Sequence, residues 1–589
     1  MRKILKIFFV GFIFLLLPLF VLADYPGDRV VFNVDSSYDK TDREEVTATL
    51  VVSSARAYFY IDNKWWSYLD SDQRKEIKKS LEYLGSEFEH EIYPTLTSIF
   101  GYERKPGIDS DYNITVLIHP MVDEARGYFR EVDEYEKEQN PFSNEREMVY
   151  LNAEYINSSL IRSFLAHEFI HLITFNQKQE KNGSTEEVWL NEARAEIAPT
   201  LMGYDETYEE SYLEERVNAF LKNPSDSITE WRNVASDYGA LNLFTHYLVE
   251  KYGIGVLVDS LKSEKVGIES INYALKRKGY KEDFSEIFTD WTIAVSANDC
   301  SLGEEYCYLD KNLKRVHVSP SINFLPLQGE SSLGVNQSTK NWSGNWIKFI
   351  GGNSDLQIQF IGNPDNLFKV PYLLKDEEGK YSLGFFELDE NQRGEILISR
   401  VNGDVGSVII IPSVQSKQSD FLSLESQISY SWEAKTVASQ EEPEEDQEIV
   451  LDKPILEMNR EEILTKISGI EKLLGSLKLR LVQLEKDSEK DQEIVSEDQE
   501  VVSCDGFNSN LFYGLINDNR VKCLQQFLKF QGVYPEGLIT GNFLNLTKAA
   551  VVRFQEKYSG DILAPWGINS GTGFVGKTTL SKINELLSR

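Results

Sequence analysis

Cysteine and histidine are scarce in this chain, with four and six respectively in 589 residues. Basic side chains are outnumbered as well: 61 Lys and Arg against 94 Asp and Glu, a formal net charge of −33. Such a polyanion repels phosphate backbones, so no nucleic acid is expected as a partner. The acid is unevenly spread. Residues 441–500 hold 19 acidic and 8 basic side chains, a solvated block whose charge says little about the folded parts. Long apolar runs are missing after the first. That run, Ile7 to Leu22, follows Arg2, Lys3 and Lys6, and Val21-Leu22-Ala23 offers small residues for cleavage before Asp24. Residues 1–23 therefore read as a signal peptide and the chain as exported, extracellular or envelope-associated. The competing reading is an uncleaved anchor, for which about 16 apolar residues is short. No later stretch is long and apolar enough to span a membrane, and no Cys follows to take a lipid.

Export suits the cysteines, which fall into two local pairs. Cys300 with Cys307 and Cys504 with Cys523 are each expected to close within their own domain in an oxidising compartment, the alternative being buried thiols. The length requires several cores, and the fold class expected is multidomain α+β. Residues 24–315 read as an α/β lobe, with strand-like runs at "VTATLVVSSARAYFYID", "NITVLIHPM" and "EMVYLNAEYI" and a helical stretch from Ser71 to Ile99. A mainly helical lobe follows from Ile161 to Ala297, and two such lobes leave a cleft between them. Residues 316–436 carry short β-rich runs separated by Gly, Asn, Asp and Pro, the pattern of a β-sandwich. Acidic linkers at 437–456 and 488–503 share the phrase "DQEIV" and bracket a helix at 457–487. Its Ile and Leu positions from Ile463 to Leu484 repeat at four-three spacing, a coiled-coil-like seam that either pairs two chains or lies on a neighbouring domain. Residues 504–589 are compact and helical again.

Two of the six histidines sit in "SFLAHEFIHLITF". A helix brings residues four apart onto one face, so His167 and His171 can present nitrogens to one point. Zinc accepts that pair, and a catalytic zinc needs one more protein ligand and an open position. Glu168 lies where its carboxylate can take a proton from water, the logic of H-E-x-x-H. Downstream, "VWLNEARAE" supplies Glu192 as third ligand after a polar loop turns the chain back. Glu196, one turn further, is placed to accept from a ligand imidazole. The alternatives are that Glu192 and Glu196 exchange roles, or that both belong to a solvated face.

These motifs resemble the gluzincin metallopeptidases. "WLNEA" is similar to the aminopeptidase N relatives, and the wider pattern is similar to hyicolysin-type secreted bacterial peptidases. Over residues 24–315 the resemblance implies an α/β lobe, an active-site helix and a helical lobe. It implies zinc on His167, His171 and Glu192, with Glu168 as general base. The glycine-x-methionine-glutamate-asparagine anchor of the aminopeptidases is lacking upstream, which favours an endopeptidase on protein or peptide substrates. Gly127-Tyr128-Phe129 is the expected edge strand for an extended peptide. Family members carry a downstream Tyr or His for the oxyanion. Here Tyr238 is the choice, since His246 falls inside an apolar pattern and reads as core. His119 reads as a strand-end residue. Asp109, Asp111 and Asn113 alternate oxygen ligands as Ca2+ loops do but lack the Gly and distal Glu of an EF-hand, so a plain turn is expected and calcium stays unsupported.

The C-terminal phrases "VKCLQQFLKFQG", "LTKAAVVRFQEKY" and "GTGFVGKTTLSKI" resemble the peptidoglycan-binding domain of the three-helix type. The matching residues are Leu524-Gln525, Gly532, Thr540-Gly541, Thr547, Ala550-Val551, Phe554-Gln555, Gly576 and Thr578. The family often places a glycine after its loop aromatic, whereas Leu544 follows Phe543 here. The resemblance implies a peptidoglycan or cell-wall partner for residues 504–589. The rival readings are a non-catalytic wall-bound adhesin or scaffold with a structural metal, and a peptidase acting on peptidoglycan cross-link peptides.

Overall fold

The computed structural model describes residues 24–325, 331–351, 355–399, 405–421, 424–437, 506–535, 537–566 and 570–587. The expected signal peptide, both acidic linkers apart from Val437, the 457–487 helix and Cys504 lie outside the described residues. Among the described residues, no helix is long and apolar enough to cross a membrane.

Six strands form the first sheet: β1 (Arg29–Asn33), β2 (Glu45–Ser53), β3 (Ala57–Asp62), β4 (Ile114–His119), β5 (Gly127–Phe129) and β6 (Met148–Asn152), in the order β1-β2-β3-β4-β6-β5. The central strands β3, β4 and β6 run parallel and are buried along their whole length. Parallel strands need cover on both faces, which is why these read as continuous apolar runs. The pleat sorts their side chains. Phe59, Ile61, Val116, Ile118, Val149 and Leu151 join the large helical core, while Tyr58, Tyr60, Leu117 and Tyr150 join a smaller core on the other face. Strand β5 pairs with β6 alone and forms the sheet edge.

Helices α1 (Asn63–Tyr68), α2 (Ser71–Glu87) and α3 (Tyr93–Phe100) follow β3, with a π turn at Phe88–Ile92 between α2 and α3. The helical lobe comprises α4 (Ile161–Thr174), α5 (Val188–Glu196), α6 (Ala198–Leu201), α7 (Tyr212–Lys222), α8 (Ala235–Tyr252) and three more helices ending at Ala297. Cys300 and Cys307 are joined in a disulfide just beyond them.

Residues 321–437 form two main antiparallel sheets of four and five strands around a second core, with one parallel pair, Ser321–Leu325 beside Ile347–Gly351. The sandwich is not separate from the helical lobe. Trp342 enters the large core edge-on to Phe284 and Phe288, at ring separations of 4.9 and 5.5 Å. Its indole N–H donates to the Lys417 carbonyl at 2.7 Å, and that of Trp346 donates to the Thr292 carbonyl at 2.9 Å. An apolar core thus straddles residue 315. Trp342→Ala is expected to cost about 3–5 kcal/mol, measurable by chemical denaturation of the full chain.

The C-terminal module has its own core and three main helices, Asn519–Phe530, Asn545–Lys557 and Lys577–Leu587. Two buried glutamines hold it in matching ways. Gln525 accepts from Gly541 N–H and donates to Thr547; Gln555 accepts from Gly573 N–H and donates to Thr579. The module also touches the helical lobe. Tyr513 is buried in the large core, and Ile254 N–H donates to the Gly514 carbonyl at 2.8 Å.

Candidate metal centre

Helix α4 is buried along all but one of its residues, so its polar side chains must find partners inside the protein. His167, Glu168 and His171 are 7%, 6% and 6% exposed and open on a cleft of ≈ 160 Å³. The cleft is walled by β5, by Glu192 of α5, and by the phenols Tyr38 and Tyr238. The loop before α5 is anchored at its end. Glu186 pairs with Arg194 at 2.8 Å and with buried Lys178 at 3.4 Å, and Lys178 also donates to the Ser260 and Ser263 carbonyls. That tie sets the start of α5 and so the aim of Glu192.

The two histidine Nε2 atoms lie 3.3 Å apart. Glu192 Oε2 lies 3.3 Å from Nε2 of His167, and Oε1 lies 3.7 Å from Nε2 of His171. One ligand atom from each residue falls within 4.8 Å of the others, the one such group among the described residues. Glu192 Oε2 is buried and makes no hydrogen bond there. Two nitrogens and an otherwise unbonded carboxylate oxygen facing one point form the donor set of a catalytic zinc, so the residues fit that ion.

Behind His167 the arrangement is equally built. Its Nδ1 lies 3.4 Å from Glu196 Oε1 and 3.3 Å from the Tyr212 hydroxyl. Glu196, fully buried, accepts from Arg216 at 2.9 and 3.0 Å, from Asn242 at 3.0 Å, and from Tyr212. Glu192 therefore sits at the shared Nε2 face and Glu196 behind the ring, at Nδ1.

Burial alone would lower the pKa of His167, but the Glu192 carboxylate beside its Nε2 and the charges of Glu168 and Glu196 raise it to about 9. Burial, reinforced by Glu192 and Glu196 against the pull of His167, raises Glu168 to about 8. Burial would raise Glu192, but the two histidines hold it low. Without metal the site thus keeps a proton on His167 at neutrality. A metal ion needs the neutral imidazole, so uptake displaces that proton, and affinity falls as pH drops below the raised pKa. At least about one proton should be released per zinc near pH 7, read by calorimetry in buffers of different protonation enthalpy. Affinity unchanged between about pH 6 and pH 8 would refute this coupling.

Gly127 has to be glycine. A Cβ there would come within 2.9 Å of Glu168 Oε1 and 2.8 Å of the Tyr150 carbonyl. Tyr238 lines the cleft, and its hydroxyl donates to Asn233 Oδ1 at 2.7 Å. His246 is buried away from it, between Thr200 and the Asn242 carbonyl. His119 ends β4 and joins Asp39 to Tyr128 at 3.1 and 3.2 Å. Asp109, Asp111 and Asn113 form a turn in which Asp109 accepts from Asp111 N–H and Asp111 accepts from Asn113 N–H. Sequence reasoning missed Tyr38, Asn233, Tyr212 and Arg216. No metal-binding or catalytic motif marks them; they reach the site only through the tertiary fold.

No family model matches the chain. The neutral metalloprotease ShpI of Staphylococcus hyicus is 25% identical over 250 residues, which cover 38% of this chain and 55% of that protein. The chain thus spans about half the length of that relative, and the relationship to a metalloprotease is a distant one. Among solved structures, the pre-peptidase C-terminal domain of a Bacillus anthracis collagenase matches at 10% identity and a TM-score of 0.14, covering 20% of this chain and 96% of that one. PliG, a periplasmic inhibitor of g-type lysozyme from Aeromonas hydrophila, matches at 12% identity and a TM-score of 0.13, covering 20% and 97%. Overlaps that slight bear on neither fold nor function.

Proposed function

We propose that this chain is an exported, gluzincin-like zinc endopeptidase held at a cell envelope by its C-terminal module. The convergence of His167, His171 and Glu192 on one point beside Glu168 carries the reading. Those three residues would hold the zinc. When bound, the ion supplies Lewis acidity that polarises the scissile carbonyl and acidifies a water. Glu168 takes the proton of the attacking water and delivers it to the departing amine. Its carboxyl group, packed against Gly127, faces the strand on which the substrate lies. An extended peptide adds to the free edge of β5 by backbone hydrogen bonds, and its scissile bond then lies over the histidine pair.

The test uses the full chain, because the core of the helical lobe includes Trp342 and Tyr513. Purified protein should carry stoichiometric zinc and degrade casein, and a chelator should abolish the cleavage. A chain that binds no zinc with all three ligands intact would end the enzyme reading. Retention on purified sacculi that depends on residues 504–589 tests the envelope role.

A further inference from the structure

Two phenols face the cleft from opposite lobes, and one side chain joins them. Asn233 donates from Nδ2 to the Tyr38 hydroxyl at 3.1 Å and accepts at Oδ1 from the Tyr238 hydroxyl at 2.7 Å. Tyr38 and Asn233 are 195 positions apart in the chain. The two phenols are therefore not equivalent. Tyr238 spends its proton on the amide oxygen. Tyr38 receives a proton from the amide, and among the described residues its own O–H donates to none.

Both ends of the bridge are fixed. The Tyr38 ring stacks on Tyr128 at 4.6 Å and 16°, and Tyr128 stacks on Tyr150 at 4.2 Å and 9°. Next to Tyr38, the carboxylate of Asp39 accepts from Thr41 N–H at 2.9 Å, from Arg43 Nε at 3.0 Å and from His119 Nδ1 at 3.1 Å. A carboxylate only accepts, so Nδ1 donates to Asp39, and Nε2 shares a hydrogen bond with the Tyr128 hydroxyl at 3.2 Å. This buried Asp39–His119–Tyr128 chain ties the Tyr38 turn to the sheet edge that walls the cleft. On the other side, Arg216 lies over the Tyr238 ring at 4.6 Å, and Trp231 meets it edge-on at 4.7 Å. The turn that carries Asn233 is held by Asp237, which accepts from Arg232 N–H and Val234 N–H. Asn233 adopts the left-handed conformation, φ 59°, which asparagine tolerates better than most residues.

We propose that Tyr38, with its proton left free by Asn233, is the cleft's hydrogen-bond donor to the tetrahedral oxyanion of a bound peptide. Tyr238 is then a positioning residue, which holds the amide that orients Tyr38. Burial and the nearby Glu168 and Glu192 charges raise the Tyr38 pKa against the opposing pull of Asn233, in keeping with a phenol that stays protonated. The assignment rests on the zinc-peptidase reading.

The test compares full-length, zinc-loaded Tyr38→Phe, Tyr238→Phe and Asn233→Asp with the wild type. Turnover of a fluorogenic peptide and calorimetric binding of a phosphinic peptide, a tetrahedral anion, are measured on each. Tyr38→Phe should lower kcat about a hundredfold, with KM held within about twofold, and weaken the phosphinic peptide by a similar factor. Asn233→Asp leaves the stacked ring in place but draws the Tyr38 proton to a carboxylate, so it should reproduce the fall in kcat even if Tyr38→Phe folds poorly. Tyr238→Phe should lose less than Tyr38→Phe. Unchanged kcat in both Tyr38→Phe and Asn233→Asp, or a larger loss in Tyr238→Phe, overturns the assignment. A wild type that holds zinc but neither cleaves peptides nor binds the phosphinic peptide overturns the peptidase reading, and the Tyr38 role falls with it.

Discussion

Glu168→Gln is expected to lower kcat by about a thousandfold while zinc stays bound. The substitution keeps the shape of the side chain, so its packing against Gly127 is retained. His167, His171 and Glu192 are untouched. What is lost is the one function an amide cannot perform, taking a proton from water at neutral pH. Burial raises the pKa of this carboxyl to about 8 in the metal-free site, so it holds its proton at pH 7 until a cation in the cleft draws that proton off. Metal content by atomic absorption, an unchanged circular dichroism spectrum and lost casein cleavage form the expected set. Activity within about tenfold of the wild type would remove Glu168 from the role of base.

Glu192→Gln and Glu196→Gln should separate metal binding from orientation. Both carboxylates lie beside His167, the half-buried Glu192 at its Nε2 face and the fully buried Glu196 at Nδ1. Removing charge from a partner behind a ligand imidazole typically costs about 10–100-fold in metal affinity. Loss of the ligand charge itself should exceed that, so Glu192→Gln is expected to bind zinc more than about a hundredfold more weakly. Glu196→Gln should lie inside the smaller range, because Tyr212 and Arg216 keep the pocket behind the ring filled. Competition against a chromogenic chelator measures both. A greater loss for Glu196→Gln would transfer the ligand role to Glu196.

Much of this site was legible because helical periodicity is local. The spacing from His167 to His171 and from Glu192 to Glu196 needs only one turn of helix, and "WLNE" points to Glu192, which the fold brings to 3.3 Å from His167 Nε2. The β-sandwich and the compact C-terminal helices were legible for the same reason, since each follows from patterns within a few residues. What the sequence hid was long-range or masked by composition. Lys178 stands in a stretch that reads as polar loop, yet it is buried against carbonyls more than 80 positions away. Tyr38 looks like one more tyrosine among 29, and its partner lies in the other lobe. The change to a β pattern near residue 316 marks a change of secondary structure, but Trp342 carries the apolar core across it.

The buried Tyr513 bears on how a wall-bound copy of this protein would work. A module whose tyrosine is seated in the apolar core of its neighbour is tied to it by packing as well as by the chain. A chain gripped through residues 506–587 then presents its cleft at a set height and tilt above the surface. Under the proposed envelope role, that stance as well as the cleft would select the substrates it meets.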